Sequence, residues 1–101
     1  MSDLVVAGRF RPPVSRAAVA ADWQARGYDC QNWVDPPGQL WKGFVHPTNE
    51  LVTVVEGRLE IVVDGARLEA GPGDEVFIPS GARHDVRNIG GTTARWLFGY
   101  D

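Results

Sequence analysis

From Gly27 onward the chain breaks into short β-rich runs separated by strong turn signals, and this alternation constrains the fold more than any other feature. The runs cover residues 29–34, 40–46, 51–56, 59–63, 67–70, 75–79, 84–89 and 93–100. Between them stand Pro36-Pro37-Gly38, Asp64-Gly65, Gly71-Pro72-Gly73, Pro79-Ser80-Gly81 and Gly90-Gly91. Asp64-Gly65 predicts a hairpin with a type I′ turn, because both central positions of that turn need positive φ. Eight short strands cannot lie in one open sheet without long exposed edges, so the expected fold is all-β: a sandwich, a jelly roll or a small closed barrel.

Ahead of the strands lies a different pattern. Pro12-Pro13 close an irregular segment, Ser15 stands as an N-cap, and residues 16–26 read as one short helix stopped by Gly27. Val19 and Trp23, four apart, give it a modest apolar stripe for packing on something larger. With 101 residues the chain is one domain, an N-terminal segment and helix (1–28) followed by a β-barrel (29–101). Such a length buries roughly 65% of its unfolded surface. The runs Leu51-Val52-Thr53-Val54-Val55 and Leu59-Glu60-Ile61-Val62-Val63 are apolar on both faces, so their outer faces must meet the N-terminal segment, the second sheet or another subunit. A homodimer is expected on that ground. Trp96, Phe98 and Tyr100 share one side of the last run, which predicts core packing, with a ligand-stacking wall as the alternative.

Charge and cysteine content exclude several partners. Ten Lys+Arg against thirteen Asp+Glu leave a net charge of -3, and the basic residues are scattered, so no nucleic-acid surface is expected. Cys30 stands alone, which excludes an intrachain disulfide and a cysteine-based metal site and suits a small buried hydrophobe. The N-terminal stretch carries Asp3 where a secretory signal needs base, and no apolar run is long enough for a membrane span; a cytoplasmic protein without membrane partners is expected.

The two histidines limit where chemistry can sit. Strand periodicity puts Lys42, Phe44 and His46 on one face, Glu50, Val52 and Val54 on one face of the next strand, and His84, Val86 and Asn88 on one face of a third. If these faces point inward, His46, Glu50 and His84 converge inside an apolar barrel lined by Lys42, Phe44 and Val52. A divalent cation would satisfy all three polar groups, and two imidazoles with one carboxylate form the open facial triad. Lys42 suits either a carboxylate-bearing substrate or a snorkelling position at the barrel mouth. Trp33 and Trp41, flanking the 35–38 turn, either roof the pocket or cover core. Gly71-Pro72-Gly73 is a turn and not a phosphate loop, because no helix start follows it.

These residues also carry a family resemblance. Phe44-Val45-His46, then Pro47-Thr48-Asn49, Glu50, six residues and Gly57 follow the first cupin motif, His-x-His, three or four residues, Glu, six residues, Gly. Gly73, Pro79, Gly81, His84 and Asn88 match every position of the second. Over residues 40–100 the chain therefore resembles a small cupin. The resemblance implies a double-stranded β-helix (jelly-roll) barrel with a central metal on His46, Glu50 and His84, while the motif glycines, Pro79 and Asn88 serve turns and strand ends. One departure is Phe44, which stands where the family pattern has its first histidine and leaves three protein ligands. Fe(II) is the favoured ion, with Mn, Ni, Zn and Cu chemically credible. The expected function is a metal-dependent enzyme acting on a small organic molecule by dioxygenation, isomerisation or decarboxylation. The alternative is a non-catalytic binding or sensing barrel without metal.

Overall fold

A computed structural model describes residues 3–101; Met1 and Ser2, part of the stretch read for a secretory signal, lie outside the described residues. In chain order the elements are β1 (Val5–Val6), α1 (Arg16–Ala25), β2 (Gln31–Asp35), β3 (Leu40–Phe44), β4 (Glu50–Glu56), β5 (Leu59–Val63), β6 (Ala66–Ala70), β7 (Glu75–Ile78), β8 (His84–Asn88) and β9 (Ala94–Tyr100). They form two antiparallel sheets, one ordered β1-β7-β4-β9-β2 and the other β3-β8-β5-β6. This is the all-β jelly roll with a short N-terminal helix that the family resemblance implies, one of the architectures the turn spacing allows. Each of the eight expected strands is present with ends shifted by at most two residues, and β1 is an addition too short to leave a pattern in sequence. No helix among the described residues is long and apolar enough to cross a membrane.

Local chemistry fixes the elements. At the β5–β6 turn Asp64 and Gly65 have φ of +47° and +83°, and the ladder runs in strict register from Leu59↔Ala70 to Val63↔Ala66. The Ser15 side chain accepts from the Ala18 N–H at 3.2 Å to start α1, and Gly27, at φ +90°, turns the chain out of it. Gly99 answers a close approach instead: a Cβ there would lie 1.9 Å from the Asp29 carbonyl oxygen.

Period-2 alternation sorts β4 between two layers. Val52 and Val54 join Leu59, Ile61, Val76, Ile78 and Val86 in the core between the sheets. Leu51, on the opposite face, packs with Leu97 under Val19 and Trp23 of α1, with Val55 at the margin of the same cluster. The apolar outer face of β4 is thus covered by the chain's own helix. Beneath the helix, the buried Glu75 carboxylate accepts the Trp23 indole N–H at 2.9 Å and both terminal nitrogens of Arg26 at 2.9 and 3.0 Å.

Candidate metal centre and its aromatic cavity

The ladders bring His46, Glu50 and His84 together from three places in the chain. Glu50 opens β4 with its side chain inward, paired to Ile78 on one side and Tyr100 on the other. His84 opens β8 opposite Phe44 and Val63. His46 follows β3, where its carbonyl accepts the Gly81 N–H at 2.8 Å and so ties it to the turn ahead of His84. One ligand atom from each of the three lies within 4.8 Å of the others.

Their hydrogen bonding is incomplete in an informative way. Glu50 is 4% exposed, yet among the described residues its Oε1 accepts no hydrogen bond. That oxygen lies 3.3 Å from His84 Nε2 and 3.7 Å from His46 Nε2. His84 Nδ1 is 3.1 Å from the Ala82 carbonyl oxygen, which can only accept, so Nδ1 carries the proton. A neutral His84 then points its Nε2 lone pair at a carboxylate oxygen, an arrangement relieved by a cation between them or by a proton on either partner. Backbone orientation of a histidine through its second nitrogen is also how metal-ligating imidazoles are held. Burial works against charge on His84, but the facing Glu50 carboxylate, the Ala82 carbonyl and the charge of Asp85 outweigh it and raise its pKa above the ordinary histidine value.

Around this group lies a cavity of about 280 Å³. Phe44 stacks against His46, with centroids 5.8 Å apart and planes at 22°, and leans on His84 at 5.8 Å. A phenyl ring therefore occupies the flank where the family motif carries a histidine. On the other flank the Tyr100 hydroxyl is 3.4 Å from His46 Nε2. Burial first, then the charges of Glu50 and Asp29, push the Tyr100 phenol up to about 12. The rest of the wall is apolar and mostly aromatic: Trp33, Trp41, Trp96, Phe98 and Val86. Trp96 and Phe98 pack with the inter-sheet core as expected and, with Tyr100, also line this cavity; Trp33 and Trp41 line it too.

Lys42 and Val52 do not line it. Trp41 pairs with Val86 and Phe44 with His84, so Lys42 and Gly43 together face Asp85 alone in a bulge. Gly43 takes φ +78° and donates its N–H to Asp85 Oδ1 at 2.8 Å. The extra residue reverses the side-chain parity, and Lys42 lines a separate depression with Asp64, Arg83 and Asp85. Val52 does share the inward face of Glu50 but is fully buried in the core, since its cross-strand neighbour Phe98 takes the wall position. Asn88 has a geometric role: its Nδ2 donates to the carbonyls of Asp35, Pro36 and Thr92, and its Oδ1 accepts the Gly90 N–H.

Sequence reasoning missed Asp35, whose buried carboxylate accepts the indole N–H groups of Trp33, Trp41 and Trp96. A signal was present: four tryptophans whose indoles need acceptors when buried, and an aspartate on the same strand face as Trp33.

A two-sheet jelly roll with a His/Glu/His group inside it defines a small barrel protein with a candidate mononuclear centre. Comparison with known proteins specifies the family: the Cupin domain family matches residues 32–100, and the chain belongs to it. It is 40% identical over 63 residues to the polyketide synthase CurC of Streptomyces cyaneus, a match covering 61% of this chain but only 41% of that protein. Among solved structures, the cupin 2 domain-containing protein from Halorhodospira halophila superposes with a TM-score of 0.69 at 26% identity, covering 87% of this chain and 59% of the other. The polyketide cyclase RemF from Streptomyces resistomycificus gives 0.64 at 27% identity, covering 72% and 53%.

Proposed function

We propose that this cupin is a metal-dependent enzyme that holds one divalent transition metal on His46 Nε2, Glu50 Oε1 and His84 Nε2 and acts on a small organic molecule seated in the aromatic cavity. One observation carries the reading: a buried carboxylate oxygen without a hydrogen bond faces two imidazole nitrogens, one of which has its other nitrogen committed to a carbonyl. Such a group is costly without a cation and completed by one. The donor set of two nitrogens and one oxygen suits Fe(II) best and also accepts Mn, Ni, Zn or Cu. When bound, the ion supplies Lewis-acid polarisation of a substrate oxygen, and its redox capacity separates dioxygenation from isomerisation or decarboxylation.

The chain's own residues do the rest. Phe44 keeps water from one side of the centre, Tyr100 offers a hydroxyl at the other, and the aromatic wall receives the carbon skeleton. Two relatives named for polyketide chemistry support a substrate with oxygens on a carbon framework. Two copies pair through the edge strands β2 and β3, a reading supported by the exposed Val34 and Leu40. Phe44 favours the competing reading, a metal-free binding barrel, because it removes one ligand of the family pattern.

Elemental analysis of protein purified without tag or chelator separates the two. The expected result is about one transition-metal ion per chain, lost in His84→Ala. Wild-type protein that carries no metal and takes none up on reconstitution would overturn the enzyme reading in favour of the binding barrel.

A further inference from the structure

Asp35 is 2% exposed, and no ion pair compensates it among the described residues. Its donors are three neutral indoles. Trp33 and Trp41 donate to Oδ1 at 2.8 and 2.9 Å, and Trp96 donates to Oδ2 at 3.0 Å. These tryptophans come from β2, β3 and β9, so one carboxylate fixes rings from both sheets. The Asp35 backbone is itself held, because its main-chain carbonyl accepts from Asn88 Nδ2 at 3.3 Å.

The arrangement decides what the wall can recognise. A tryptophan ordinarily brings a hydrogen-bond donor to a binding surface. Here all three N–H groups are spent on Asp35, and the wall presents only carbon and π surface. Trp33 meets Trp41 and Phe98 edge-on, at 72° and 74° with centroids 5.6 and 6.3 Å apart, which holds successive rings at steep angles to one another. Polar atoms are confined to the other end, at His46, Glu50, His84 and Tyr100.

We propose that this wall is a recognition surface for a flat aromatic ring whose oxygen substituent points to the polar end, and that Asp35 is the positioning residue that sets the wall. A π system gains from edge and face contacts beyond the area it buries, whereas a saturated ring of the same outline gains area alone. An aromatic enclosure also suits an organic cation, but a metal ion at the polar end disfavours one. The inference rests on the cavity being the substrate site and deepens that reading by naming the substrate class.

The test uses probes that share one hydroxyl and differ in the ring: 2-naphthol and decahydro-2-naphthol, titrated by calorimetry and tryptophan fluorescence against the full chain as purified, with metal content recorded in parallel. Wild-type protein should bind 2-naphthol about tenfold or more tighter than the saturated analogue. Asp35→Asn, whose amide oxygen cannot accept from all three indoles and whose NH2 opposes at least one, should collapse that ratio toward unity while metal content stays unchanged. A purely structural role would weaken both probes together and leave the ratio intact. Trp41→Phe keeps a ring but loses its tether, and it should lower the ratio about threefold even if Asp35→Asn does not fold. Equal affinity of the two probes for wild type, or tighter binding of choline than of 2-naphthol, overturns the proposal. Absence of metal with the ring preference intact would instead count against the metal-dependent reading alone.

Discussion

The two faces of the β4–β7–β9 sheet each bury a carboxylate to nearly the same depth, Glu75 at 3% and Glu50 at 4% exposure, and they treat it in opposite ways. On the outer face Glu75 is closed off by the Trp23 indole and the Arg26 guanidinium, all within the chain. On the inner face Glu50 Oε1 is left without a hydrogen bond, opposite two imidazoles. Burial alone therefore does not mark the site. What marks it is a buried charge whose partner set is incomplete, because a structural carboxylate acquires its partners as the fold forms whereas a ligand must stay open to its ion.

Breaking the closed side should give the largest change in stability. Arg26→Met removes the cation that pairs with Glu75 and leaves that carboxylate the Trp23 N–H alone. Arg26 is itself about a third exposed, so the loss is expected at the low end for a broken buried pair, roughly 2–3 kcal/mol. Thermal unfolding should then fall by roughly 10–20 °C, with metal content per folded chain unchanged. A drop in metal occupancy would show that the two faces are coupled and would break the comparison.

Glu50→Gln tests the open side and should move stability the other way. In chelator-treated protein at a pH above the raised His84 value, His84 is neutral and the Glu50 carboxyl loses its charged partner. Replacing it with an amide should stabilise the metal-free chain by about 1–2 kcal/mol while abolishing metal uptake. The sign depends on pH. The folded-state pKa of His84 is raised, so favourable pairing with Glu50 is present at lower pH and is lost as pH rises through that value. Chemical denaturation at two pH values checks this: the variant should gain on wild type only at the higher one. Loss of stability at both would mean that Glu50 is a structural acceptor like Glu75.

The asymmetry was partly legible in the sequence. Strand alternation is local, so the inward placement of Glu50 and His84 and the hairpin at Asp64-Gly65 could be read from neighbouring residues. Parity failed at Lys42 because one bulge residue reverses every side chain before it; Gly43 inside a strand run was the available sign. The ring run Trp96, Phe98, Tyr100 reads identically whether a ring only packs in the core or borders a cavity, as these three do, and one strand's pattern holds no information about the gap. Asp35 was legible only in part: Trp33, two residues away on its face, was the available sign, but the donors at positions 41 and 96 meet it only after both sheets have formed.

The smallest expected effect is also the sharpest for the comparison. Thr53 lies between Glu75 and Leu97 in the ladders, is fully buried, and its Oγ1 has no hydrogen-bond partner among the described residues. It is thus an unpartnered group on the closed side of β4, but neutral where Glu50 is charged. A neutral orphan hydroxyl is a modest packing cost, not a site awaiting a ligand. Thr53→Val replaces it with a methyl group of nearly the same shape and should stabilise the protein by about 1 kcal/mol, a rise of roughly 4–8 °C in Tm, with metal content and probe binding unaltered. Destabilisation would reveal a bound water completing Thr53 and would remove the exception. Stabilisation would place charge, and not the missing hydrogen bond by itself, as the difference between a tolerated defect on one face and a functional opening on the other.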